Sequence, residues 1–175
     1  TVQWDAQASL QSERGQRMVQ SGGLVEGIRY ALQESPRIFA GVQRESWEAC
    51  QGAETLVYSL ISPWGQPIAE KLGIPSIPGL LHPMIPTRQF PTQLAPVNLG
   101  GALNRASHVL GEWGFWLITR SATNAFRREI GLSPIHFPKT IFDAIRQQNP
   151  PMLVSLSPAI IPRPGPPSIH EETRS

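Results

Sequence analysis

The sequence predicts an α/β layered fold with parallel strands, and three observations carry that reading. Thr55 to Ile61 is a β-rich apolar run with no polar alternation, as expected for a strand buried on both faces. Residues 62–73 then carry the punctuation of a single helix. Ser62 is placed to cap it, Pro63 takes the favoured first position, Trp64, Ile68 and Leu72 recur at four-residue steps, and Gly73 stands where a left-handed C-terminal residue belongs. Ile74 to Leu80 is a second apolar run, and two strands joined through a helix in this way run parallel.

The other elements follow in order. Ala6 to Gln20 reads as a polar helix, broken at Gly22 and Gly23. Leu24, Ile28, Ala31 and Leu32 recur at helical spacing; Pro36 interrupts the pattern, and Ile38, Val42 and Trp47 resume it up to Cys50. Residues 82–98 hold too many prolines for a helix or central strand and read as an irregular loop. A long helix follows, with Leu103, Ala106, Leu110, Trp113 and Leu117 marking the expected core face and Gly131 with Pro134 as its stop. Trp113, Phe115 and Trp116 are expected to fill its interface with the sheet; an acceptor pocket or a membrane-facing patch is the alternative, and exposure separates the two. Lys139 to Gln148 reads as a short helix bearing Ile141, Phe142 and Ile145, ended by Pro150 and Pro151, and Met152 to Ser157 as a third strand. One domain over residues 1–161 and a Pro-rich tail over 162–175 complete the expected organisation.

Composition excludes several classes. Hydrophobic residues make up 40% of the 175 residues, enough for a packed core, so global disorder is not expected. Fifteen Lys and Arg against 13 Asp and Glu leave a net charge of +2, which argues against a nucleic-acid partner. Cys50 is the single cysteine, so the chain forms no internal disulfide and has no paired-cysteine metal site; a reducing, cytoplasmic compartment is the simplest expectation. No apolar run reaches the length of a bilayer span. The chain opens at Thr1 with neither an initiator Met nor a signal pattern, and the natural start is expected upstream.

The sequence has no nucleophile elbow, no phosphate-cradling Gly-rich loop and no H-E-x-x-H motif, so the hydrolase, P-loop and zinc-protease readings lose their usual support. Asp5 and Asp143 are the only aspartates, and neither ends a predicted strand. Ligands of open parallel sheets bind beyond the carboxyl ends of the strands, and the loop after Leu80 occupies that edge. It combines proline-stiffened backbone with His82, Thr87, Arg88 and Phe90, and reads as ligand-lining. The competing reading makes it an exposed connection with Phe90 and Met84 as core plugs and Arg88 bonded to a carbonyl. His108 reads as structural; His136 and His170 gain no role from spacing.

Two stretches carry a resemblance. Trp64-Gly65-Gln66-Pro67-Ile68-Ala69-Glu70-Lys71-Leu72-Gly73-Ile74-Pro75, followed by His82-Pro83-Met84-Ile85-Pro86-Thr87-Arg88-Gln89-Phe90-Pro91, resembles the N-terminal domain of the sterol 3-beta-glucosyltransferases and related bacterial glycosyltransferases, the family 28 type. Leu103-Asn104-Arg105, the helix through Trp116, and the stretch from Gly131-Leu132-Ser133 to Leu156-Ser157-Pro158 fit the same domain, so the likeness runs from about Leu24 to Pro164. It implies a Rossmann-like parallel sheet with flanking helices, as an incomplete acceptor-side domain of the two-domain GT-B architecture. It further implies an inverting transfer of a hexose, glucose foremost, from a UDP-sugar to a hydroxyl of a sterol or other lipid-like acceptor. No metal or cofactor is implied; the donor is held mainly by a C-terminal domain absent from this chain, and the general base lies upstream of Thr1.

Position and resemblance together assign acceptor-binding roles. Arg88 orients a polar group or anchors the loop, Phe90 and Trp64 supply apolar walls, and His82 or Thr87 donates a hydrogen bond near the reacting hydroxyl. The alternative is a non-catalytic fragment that binds a lipid or a partner. Either way the chain alone is expected to be inactive, since catalysis needs both reactants positioned together. A location in the cytoplasm, with peripheral membrane contact, completes the expectation.

Overall fold

A computed structural model describes residues 11–13, 16, 20, 24–80, 84–92, 95 and 97–155. Its elements run α1 (Leu24–Ala49), β1 (Leu56–Ser59), α2 (Gly65–Leu72), β2 (Ser76–Leu80), α3 (Gly101–Glu129), α4 (Ile141–Gln148) and β3 (Leu153–Val154). The strands form one open parallel sheet in the order β1-β2-β3, with Leu56 opposite Ser76 and Gly79 opposite Leu153. This is the Rossmann-like α/β arrangement expected from the alternation of runs and helices.

Helices cover one face of the sheet. Leu60 and Leu80 pack with Trp116 of α3 and with Ile141, Phe142 and Ile145 of α4; a second cluster joins Ile68 of α2 to Phe126 and Ile130. The other face is open at β1, where Val57 is 58% exposed, so the expectation of a strand buried on both faces is corrected. Topology supplies the reason. With strands in the order 1-2-3, successive right-handed crossovers both place their helices on the same side.

Three local expectations change. Pro36 does not interrupt α1, which runs unbroken from Leu24 to Ala49. A proline removes one N–H from the ladder, a local loss in a 26-residue helix whose period continues on both sides. Ser62 does not cap α2: the helix begins at Gly65, its N-cap is Trp64 and no side chain caps it. Gly65 lies directly beneath the Tyr58 ring, so a contact between strand and helix sets the start. Gly73 does end the helix in the left-handed conformation, with φ 66°.

The largest change concerns α3. Its expected core face points outward: Leu103, Leu110 and Leu117 are 62%, 71% and 59% exposed. The buried face carries Asn104, His108, Glu112, Trp116, Thr119, Thr123, Phe126 and Arg127. Asn104, His108, Glu112 and Arg127 are inside because backbone carbonyls and charged side chains from other elements meet them there, which offsets the usual cost of polar burial, while Thr119 Oγ1 donates back to the Phe115 carbonyl and Thr123 Oγ1 has no hydrogen-bond partner among the described residues. Trp116 fills the interface with the sheet, Phe115 lies edge-on to Phe142 at 5.7 Å, and Trp113 is half-buried. α4 starts at Ile141 behind a capping box, in which Thr140 Oγ1 accepts from the Asp143 N–H and Asp143 accepts from the Thr140 N–H. The helix expected over Ala6 to Gln20 and the tail from Pro162 lie largely or wholly outside the described residues.

Candidate functional site

The loop that leaves the carboxyl end of β2 is tied to the first two turns of α3. Asn104, almost fully buried, donates from Nδ2 to the Arg88 carbonyl (3.1 Å) and to Asn98 Oδ1 (2.9 Å), and accepts the Leu99 N–H on Oδ1 (3.0 Å). One turn on, Ser107 Oγ accepts the Thr92 N–H (2.9 Å), and His108 Nε2 donates to the Phe90 carbonyl (3.1 Å). The Phe90 ring meets the His108 ring edge-on at 6.0 Å. Gly100 joins loop to helix at φ 82° and ψ 154°, a conformation essentially reserved for glycine.

This anchoring places the predicted residues. Thr87 is buried and accepts the Gln89 N–H on Oγ1 (3.2 Å), closing a small turn. Arg88 is exposed and Phe90 half-buried. Met84, at the near end of the loop, plugs the Trp116 cluster. His82 lies outside the described residues. Trp64 is not brought to the loop: it packs with Phe39 (5.3 Å) and against the Ile68-Phe126-Ile130 cluster. Phe126 stands 18 residues beyond His108, which at the helical rise is roughly 27 Å along α3.

A concavity of about 620 Å³ opens away from this loop, between α2, the end of α3, residues 133–140 and α4. Arg127 lies against it. Its guanidinium donates to Glu70 Oε2 (2.7 Å) and Oε1 (3.1 Å), to Gln66 Oε1 (3.3 Å) and to the Ser133 carbonyl (2.8 Å). Burial pushes the Glu70 carboxyl up, but bonds from Arg127 and Gln66 and the Arg127 charge outweigh it, and the pKa falls below the ordinary value. Asp143 behaves likewise: burial raises it, while Arg146 and both Thr140 groups lower it further. Glu112, buried on α3, is paired with Arg146 at 2.8 Å. Glu70 and Glu112 therefore hold elements together, and Asp143 caps and pairs within α4, so all three are engaged in ion pairs. Among the described residues no cluster of His, Cys, Asp and Glu has metal-binding geometry.

Sequence reasoning missed Asn104, Ser107, Glu70 and Arg127. Asn104, His108 and Glu112 share one helical face at four-residue steps, a signal that reads as a solvated stripe until the loop carbonyls facing it are known.

The chain is similar to segments of three curated fungal proteins. It is 38% identical over 120 residues to the sterol 3-beta-glucosyltransferase of Pichia angusta, which covers 67% of this chain and 9% of the relative. Against that of Candida albicans it is 37% identical over 119 residues, 67% of this chain and 8% of the relative. Against that of Eremothecium gossypii it is 33% identical over 165 residues, 92% of this chain and 13% of the relative. The chain thus spans about a tenth of the length of the curated relatives it matches. No protein-family profile matches it.

Proposed function

From the premise that this chain belongs to the sterol 3-beta-glucosyltransferase-like glycosyltransferases, we propose that it forms the acceptor-binding part of an inverting hexosyltransferase. In the proposed reaction the hydroxyl oxygen of a sterol or other lipid-like alcohol attacks the anomeric carbon of a UDP-sugar, glucose being the sugar. The bond from that carbon to the UDP oxygen breaks, UDP leaves with the electron pair, and the hydroxyl proton passes to a general base. The UDP-sugar is held by a further, donor-binding domain, and the enzyme works in the cytoplasm at a membrane surface.

One observation carries the assignment to this chain: a loop at the carboxyl edge of a parallel sheet whose carbonyls at Arg88 and Phe90 are both held by buried side chains of α3. A loop held in this way loses little entropy when a ligand orders it. Thr87 and His82 supply hydrogen-bonding groups, Arg88 a charge and Phe90 an apolar wall. The proposal rests on these loop residues and gives Trp64, which precedes α2 and packs with Phe39 and the Ile68-Phe126-Ile130 cluster, no contact with the reacting hydroxyl. The base is assigned to a group beyond the described residues, since Glu70, Glu112 and Asp143 are engaged in ion pairs. Those same pairs favour the second reading, a binding module without chemistry of its own.

Binding of a fluorescent sterol to the chain tests the proposal. Phe90→Ala is expected to weaken it about tenfold, the value of part of an aromatic side chain's burial, and Arg88→Ala to weaken it less. Unchanged affinity in both variants, with the fold intact by circular dichroism, removes the site assignment. The chain alone is expected to transfer no glucose from UDP-glucose, and a sterol glucoside formed by it excludes the need for a second domain.

A further inference from the structure

Residues 88 to 92 follow α3 over its first three turns. A Cβ on Gly101 would sit 4.0 Å from Arg88 Cβ, and one on Gly111 would sit 3.7 Å from Thr92 Oγ1. Along this path alternate loop residues are held by three different side chains: the Arg88 carbonyl by Asn104 Nδ2, the Phe90 carbonyl by His108 Nε2 and the Thr92 N–H by Ser107 Oγ. Ser107 Oγ is itself aimed, since it donates to the Asn104 carbonyl (2.7 Å). Between them the Gln89 N–H is taken by Thr87 Oγ1, and Pro91 has no N–H. Every hydrogen bond that the Asn104, Ser107 and His108 side chains make among the described residues goes to residues 88–99 or to α3 itself. His108, 3% exposed, acts twice on one residue: its Nε2 holds the Phe90 backbone and its ring meets the Phe90 ring edge-on.

We propose that His108, supported by Asn104 and Ser107, is a positioning residue for the ligand loop: by holding the carbonyl and the ring of Phe90 it sets how tightly the loop takes a lipid-like alcohol, without touching the alcohol itself. The effect on affinity rests on the proposed function; the holding of the loop does not. Its physical basis is conformational entropy. A loop already fixed by its neighbours loses little on binding, whereas a loose one is ordered at that moment and binds more weakly by the difference. Phe90 presents an apolar wall only while its backbone and ring are fixed together, and His108 is the one side chain of the three that fixes both. Because the bonds of the three side chains run to the loop and to their own helix, losing one loosens the loop and leaves the packing of α2 and α4 on the sheet in place.

The test compares the 175-residue chain with His108→Leu, which keeps bulk but has no donor, and His108→Gln, which returns an N–H near the imidazole Nε2 position without the ring. Two readouts are taken: binding of dehydroergosterol, a fluorescent sterol, and amide hydrogen exchange over residues 84–92, with α4 as the internal reference. His108→Leu is expected to weaken sterol binding about tenfold and to speed exchange in the loop about tenfold, with α4 exchanging as in the parent. His108→Gln is expected to restore loop protection and to bring affinity back to within about threefold of the parent. Ser107→Ala, a change of one atom, is expected to speed exchange of the Thr92 N–H about fivefold and decides the matter should His108→Leu not fold. The proposal is overturned if loop exchange is the same in all variants, if the loop loosens while sterol affinity stays at the parent value, or if exchange quickens equally in the loop and α4 and His108→Gln restores neither. A parent chain that binds no sterol, or a Phe90→Ala variant that keeps full affinity, overturns the acceptor reading instead, and loop exchange then decides by itself whether His108 holds the loop.

Discussion

Gly65 shows how one residue joins two elements. It begins α2 directly beneath the Tyr58 ring of β1, and a methyl group built on it overlaps that ring. Its left-handed freedom is not in use; what matters is the missing side chain. Gly65→Ala is expected to destabilise the chain by about 1–3 kcal/mol, the usual cost of forcing atoms into packed space, read as a lower urea midpoint with an unchanged slope. Asn104 joins two elements by polarity, since its amide meets groups from residues 88, 98 and 99 at once. A buried amide with its donors and acceptor matched holds a loop in one conformation, because leaving any of them unpaired is costly.

At the scale of elements, α3 is the case where periodicity and burial part. Apolar residues at three- and four-residue steps mark an amphipathic stripe, but the stripe alone says nothing about which partner covers it. Here the sheet takes Trp116 from the polar-looking side, and loop, α2 and α4 bring carbonyls and charges to Asn104, His108, Arg127 and Glu112. A pair of variants checks the assignment. Trp116→Ala is expected to cost about 3–5 kcal/mol through the cavity it leaves, whereas Leu110→Gln is expected to stay within about 0.5 kcal/mol of the parent. Equal losses in urea denaturation return the leucine stripe to the core. α4 gives the opposite lesson: Thr140, Asp143 and the apolar Ile141, Phe142 and Ile145 are all local signals, and the helix forms where they place it.

Across the whole molecule, ion pairs, two of them between distant segments and one within α4, tie stability to pH. Glu70 on α2 meets Arg127 at the end of α3, and Asp143 meets Arg146, which in turn meets Glu112. Both Glu70 and Asp143 have folded-state pKa values below the ordinary 4.5 and 3.8. A carboxyl with a depressed folded pKa contributes stability above its unfolded pKa and loses it as pH falls through the folded one. Stability is therefore expected to be flat above about pH 5 and to decline below it, and Glu70→Gln is expected to flatten that acid limb while lowering the plateau. Thermal unfolding across this range reads both effects; an acid limb identical in Glu70→Gln assigns the decline to other groups.

Much of the architecture was legible before the coordinates. The run at 55–61, the helix ended by Gly73, the run at 74–80 and the spacing of Ile141, Phe142 and Ile145 before Pro150 are short-range signals, and they determined the order of strands and helices along the chain and the parallel sheet. The proline-rich loop at the carboxyl edge was legible for the same reason, since its place follows from the strand before it. The tertiary structure alone decided where α2 starts, which face of the sheet is covered, which side of α3 is inside, and that Trp64 stands apart from Thr87, Arg88 and Phe90. Each of these depends on partners tens of residues away: a Tyr58 ring over Gly65, loop carbonyls facing Asn104 and His108, and a Glu70 carboxylate waiting for Arg127. Local sequence encodes backbone preference and periodicity, whereas whether a polar side chain is buried is settled by the groups that come to satisfy it.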